Sequence, residues 1–128
     1  MKREILFRGK SNGRWVYGSL VVSENIAPAI YYNVSKGVAD VLDWCYVKPD
    51  TIGQYTGLKD KDGNKIFEGD IVIIAEKLKT KVVYYDGAFR MQSEFSPTPT
   101  DTTDMGYMMR EFSVRVIGNV HDDPELIK

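Results

Sequence analysis

Cysteine and histidine are nearly absent from this chain: Cys45 and His121 are the sole representatives of their types. One cysteine cannot form an internal disulfide, and its solitude predicts a reducing compartment, the cytoplasm. One Cys and one His also fall short of the four ligands that structural zinc takes, so no metal is expected. Long apolar runs are missing too. Ile5-Leu6-Phe7 is broken by Arg8 before a signal-type hydrophobic region develops, and no run approaches a bilayer span, which predicts a soluble chain without a membrane partner. Seventeen basic residues against eighteen acidic ones give a net charge of −1, which argues against an indiscriminate polyanion binder. Neither phosphate-binding glycine pattern occurs: Gly53 and Gly57 are not followed by Gly-Lys-Ser/Thr, so no cofactor is expected.

What is present is β pattern. The 128 residues, 43% of them hydrophobic, suffice for one compact domain over residues 1–128, or for two small barrels sharing a core. Residues 5–8 read as a strand, Ser11-Asn12-Gly13 as a turn, and residues 15–22 as its hairpin partner. Residues 24–28 are punctuation, and residues 29–34 are an aromatic and β-branched segment. Residues 38–43 fit a helical turn or a strand, and residues 44–47 a strand ended by Pro49.

The densest signal lies in residues 51–72. Ile52, Gln54 and Thr56 alternate with Gly53, Tyr55 and Gly57, as in a half-buried strand. Residues 59–65 have no apolar side chain to bury, and Asp62-Gly63 tolerates the positive φ of a tight turn. Glu68-Gly69-Asp70 makes a corner before Ile71-Val72-Ile73-Ile74, a core strand. Residues 81–85 and 88–91, joined at Asp86-Gly87, complete a meander of three strands. Residues 93–106, rich in Ser, Thr, Pro and Asp, predict a long mobile loop and a candidate partner contact. Residues 107–109 are ambiguous, residues 112–118 form a last strand, and residues 121–127 read as an aspartate-capped helical turn with Pro124 first. The class is mainly β, and hairpin-joined short strands favour a small barrel, because closure removes exposed edges.

Several of these segments together resemble the YopX-like proteins of bacteriophages and prophages. They are ILFRG at residues 5–9 with GRWVYG at 13–18, GQYTGLKDKD at 53–62, IFEGDIV at 66–72, VYYDGAF at 83–89 and VIGNVHDDPELI at 116–127. The resemblance implies an all-β fold containing an SH3-type barrel. It supplies no catalytic or ligand-binding residue.

Three residue clusters invite a chemical reading. Asp60, Asp62 and Asn64 alternate oxygen ligands as in a calcium loop, but glycine comes two positions early and Ile71 stands where a bidentate Glu is needed. A hairpin whose side chains satisfy local backbone donors accounts for them better. Cys45, His121 and Asn119 contain the types of a thiol-nucleophile site, yet Cys45 between Trp44 and Tyr46 reads as a small buried apolar group. Glu68 and Asp70 read as corner residues rather than an acid/base pair. No catalytic residue is therefore assigned, and with the family resemblance the chain is read as a non-enzymatic phage or prophage accessory module that binds a protein partner or itself. The alternative is a nucleic-acid-binding barrel, with Arg3, Arg8, Lys10 and Arg14 interleaved with Phe7, Trp15 and Tyr17. Five of the six charges between Lys2 and Arg14 are basic. Tyr84, Tyr85 and Phe89 are candidate partner contacts by analogy with peptide grooves.

Overall fold

A computed structural model describes residues 3–37, 39–95, 98 and 102–127. The chain divides into two compact units, residues 1–55 and 56–128.

The first unit opens with β1 (Phe7–Ser11) and β2 (Arg14–Ser23), joined by Asn12 and Gly13. Both linking residues have positive φ, 51° and 79°, the geometry that suits the twist of a two-residue hairpin. β3 (Ile26–Lys36) and β4 (Ala39–Tyr46) follow, antiparallel in the order β4-β3-β2-β1. The segment 38–43, open between helix and strand in the sequence, is strand from Ala39 onward; residue 38 lies outside the described residues. Proline at position 28, expected to be punctuation, sits inside β3 where the β2–β3 register slips between Val21 and Ser23. A bulge is where a strand tolerates a missing N–H donor.

A 3-10 turn, Pro49–Thr51, leads to β5 (Gly53–Lys59), whose first residues pair with β1 as Arg8↔Gly53 and Phe7↔Gln54. Of the two alternating sets in β5, Gly53 and Tyr55 are the buried ones.

The later half of β5 belongs to the second unit and hydrogen-bonds to β6 (Lys65–Phe67). Then come β7 (Asp70–Ile74), β8 (Leu78–Tyr85), β9 (Ala88–Ser93), β10 (Thr103–Asp104), α1 (Met105–Glu111), β11 (Val114–Asn119) and a 3-10 turn, Pro124–Leu126. The meander β7-β8-β9 is therefore present, and β11 joins it beside β7 in the order β10-β9-β8-β7-β11. Ile66, Val72, Ile74, Val82, Met91, Met105 and Val114 form the buried core of this unit, with Met108 and Met109 of α1 packed against it.

Three expectations are corrected. The strands form two antiparallel sheets, not a closed barrel. Edges are managed in other ways: β10 is two residues long, and β11 is covered by the turn after β5, where Lys61 N–H donates to the Val114 carbonyl and Val116 N–H to Asp60. The predicted loop at 93–106 is interrupted, since Thr103–Asp104 pairs with β9 and Gly106 lies in α1; residues 96, 97 and 99–101 of it lie outside the described residues. The ambiguous residues 107–109 are helical because Asp104 caps α1, accepting from Gly106 and Tyr107 N–H, and three methionines line its inner side. At the C-terminal turn Pro124 stands first as expected, but Asp123 does not cap it; its carboxylate accepts from Asn119 N–H at 3.2 Å.

Candidate functional site

The first unit carries a run of exposed apolar side chains, among them Val21, Val22, Ile26, Val41, Leu42, Trp44 and Tyr46. Alternation along β2, β3 and β4 separates two faces. One holds Ile30, fully buried, with Gly9 of β1 close against Val47. The other is built from cross-strand pairs Val21↔Ala29, Ala29↔Tyr46, Tyr31↔Trp44 and Asn33↔Leu42. On it the Tyr31 and Trp44 rings stack with centroids 6.1 Å apart, and Trp44 meets Tyr46 edge-on at 5.0 Å. These geometries favour the ring quadrupoles. Yet Trp44 remains 45% exposed, Tyr46 51% and Leu42 70%. Val21, Ile26, Ala29 and the three aromatic rings enclose a shallow cavity of about 220 Å³. Cys45, expected to be buried by its aromatic neighbours, is only half-buried, because those neighbours point to the opposite face of the strand.

The four cations assigned to nucleic acid are distributed unevenly. Arg8 and Lys10 converge on Trp15, with the guanidinium carbon 4.6 Å and the ammonium nitrogen 5.3 Å from the ring centroid. Arg8 is only 5% exposed, so its charge serves that stack rather than the surface. Arg14 is exposed at the hairpin end opposite Ser11, and Arg3 is exposed ahead of β1.

In the second unit Tyr84 and Phe89 are directly paired across β8 and β9, ring centroids 5.2 Å apart and edge-on, whereas Tyr85 pairs with Ala88 on the opposite face. The three rings do not line one groove. Glu68 and Asp70 flank a corner in which Gly69 has φ 94° and the Asp70 carboxylate accepts from Phe67 N–H at 2.7 Å. Asp70 is buried there, in the structural role expected of it.

The calcium-like turn is held by Asp60, which accepts from Asp62 N–H at 3.0 Å and from Asn64 N–H at 2.8 Å. Burial pushes its carboxyl up, but the bonds from Val116, Asn64 and Asp62 outweigh that and hold it below the usual range. Cys45 belongs to the first unit, Asn119 and His121 to the second. Asn119 spends its side-chain carbonyl on His121 and Asp122 N–H. Among the described residues no group of three or more His, Cys, Asp and Glu is placed to hold a metal ion, and no helix is long and apolar enough to cross a membrane.

The surface formed by Tyr31, Leu42, Trp44 and Tyr46 was not assigned from sequence. Its signal was the spacing itself: Leu42, Trp44 and Tyr46 recur at every second position, as one face of a strand requires.

Among solved structures the chain is similar to a crystal structure of protein EF1440 from Enterococcus faecalis, with a TM-score of 0.62 and 23% identity, over 98% of this chain and 99% of that one. At that identity the likeness shows the fold alone. No curated protein matches the chain. The family model described as YopX protein matches residues 6–128, through both units, and the chain belongs to that family.

Proposed function

We propose that this is a non-enzymatic accessory protein of a phage or prophage, working in the reducing cytoplasm of a bacterial host by binding a protein partner or a second copy of itself. The observation that carries the reading is the exposed aromatic ladder of β3 and β4. Every β4 residue but Cys45 is exposed, and its Leu42, Trp44 and Tyr46 lie in line on one face. Large aromatic side chains held rigid by their neighbours are the anchors that protein interfaces favour. The SH3-type assignment of the second unit belongs to the same proposal; it is supported by the order of its short antiparallel strands.

Nucleic-acid binding is the second reading. The first unit carries seven Lys and Arg against five Asp and Glu, the second ten against thirteen. Stacked aromatics beside that local excess suit a single strand. Burial of Arg8 weighs against it.

Capture of tagged protein from host cells carrying the phage, with and without nuclease, separates the two. A partner that survives nuclease and is lost from Leu42→Lys supports the first reading. Retention that is nuclease-sensitive, steeply salt-dependent and abolished by Arg14→Ala supports the second.

A further inference from the structure

Among the described residues the outer edge of β4 is open along most of its length, and it is blocked at one end. Val47 N–H donates to the Pro28 carbonyl at 3.0 Å, so the odd-numbered residues of β4 face β3. The even-numbered ones, Asp40, Leu42, Trp44 and Tyr46, turn their backbone groups outward. Trp44 N–H is occupied by the neighbouring Asp43 carboxylate at 2.7 Å, which leaves Asp40, Leu42 and Tyr46 as outward donors. Two residues past β4 the edge closes: Lys48 N–H donates to the Lys10 carbonyl at 2.8 Å, so β1 takes over the outer side of the chain. Between that closure and the β1–β2 turn lies a cleft of about 620 Å³, lined by Lys10, Ser11, Asn12, Trp44, Tyr46 and Lys48 among others.

We infer that β4 receives the C-terminal end of an extended polypeptide, added parallel to β4 with its terminal carboxylate in this cleft. The inference rests on the protein-binding reading above and names the partner's chemistry. A strand added to β4 and running toward Tyr46 meets β1 and must stop, which a chain terminus does and a continuing chain does not. The charges match that direction. Lys10 and Lys48 line the blocked end, while Asp40 and Asp43 stand toward the open end. An antiparallel strand would bring its N-terminal amine to the lysines. The partner's alternate side chains, spaced as in any strand, fall on the Leu42, Trp44 and Tyr46 face, so they are apolar, and a basic residue upstream on that face meets Asp40.

The test uses the full chain and two pools of random octapeptides, one with free C-termini and one amidated. Retention of alternating apolar sequences from the free-acid pool, about tenfold over the amidated pool, is expected, since one charge-assisted contact separates them. For a retained peptide, Lys48→Gln weakens binding about tenfold with an unchanged melting temperature. Amide exchange at Leu42 slows on binding, and N-methylation of the peptide residue that donates to the Leu42 carbonyl, one past the residue facing Leu42 in a parallel pair, abolishes it. Equal retention of the amidated pool, no retention at all, or indifference to Lys48→Gln overturns the inference. Equal retention with slowed exchange at Leu42 would remove the carboxylate and leave the binding reading standing. Cellular capture indifferent to Leu42→Lys removes the binding reading itself.

Discussion

The Asp60 carboxylate accepts the backbone N–H of Val116 at 2.9 Å, a bond that ties the turn after β5 to a strand 56 residues further along the chain. The other oxygen of the same carboxylate binds the turn's own Asp62 and Asn64 N–H groups. One buried side chain thereby folds the turn and covers the edge of β11. Asp60→Ala leaves those donors without their acceptor and is expected to cost about 3 kcal/mol, whereas exposed Asp62→Ala is expected to cost under about 0.5 kcal/mol. Urea denaturation of the two variants measures the difference, and equal midpoints would exclude this role for Asp60.

Stability should fall in acid for the same reason. The folded state holds the Asp60 carboxyl below its ordinary value, so the unfolded chain binds the proton more readily. The contribution is complete above the unfolded carboxyl pKa of about 3.9 and is lost as pH falls through the lower folded value. Melting temperatures of the natural chain and Asp60→Asn, compared between neutral pH and pH near 3, should converge on acidification. A gap that stays constant would contradict it.

Two glycines are expected to be intolerant for different reasons. Gly69 turns the corner into β7 at φ 94°, a conformation that a β-branched residue pays heavily to adopt. At Gly18 the backbone is ordinary, but an added Cβ would collide with the Tyr31 carbonyl oxygen of the neighbouring strand. Gly69→Val and Gly18→Ala should each lower stability by about 2 kcal/mol or more in thermal melts. Gly63→Ala, strained but with open space around it, should cost about 1 kcal/mol.

Arg115 grips Glu76 with two nitrogens, at 3.2 and 2.8 Å, and Lys61 adds a third contact at 3.6 Å. Hydrogen bonding from Arg115 lowers the Glu76 carboxyl and Glu76 raises the guanidinium in return. Both side chains are largely in water. A double-mutant cycle on Glu76→Gln and Arg115→Gln should therefore return only a small coupling, shrinking in salt.

The ladder should separate binding from folding. Trp44→Ala removes exposed surface and should leave the melting temperature nearly unchanged while reducing partner retention about tenfold. A large loss of stability instead would mean that Trp44 packs rather than binds.

Much of the fold was legible in the residues. The Asn12-Gly13 and Asp86-Gly87 turns carry positive φ as their types require, and the Glu68-Gly69-Asp70 corner lies where its glycine and aspartate put it. Helix α1 was less legible. Its capping Asp104 sits in a stretch of threonine and aspartate that reads as loop, and its seven residues would not be stable without the core beneath Met105.

The sequence by itself determined the β class, the turns, the family and the absence of any strong catalytic or metal pattern, because those depend on local φ preferences, period-two alternation and residue chemistry. Tertiary structure alone decided that the strands stop as two open sheets, that Arg8 is buried on Trp15, and that Trp44 and Tyr46 face outward rather than covering Cys45. Alternation marks which residues share a face but leaves unstated which face is covered, and that is settled by which strands become neighbours.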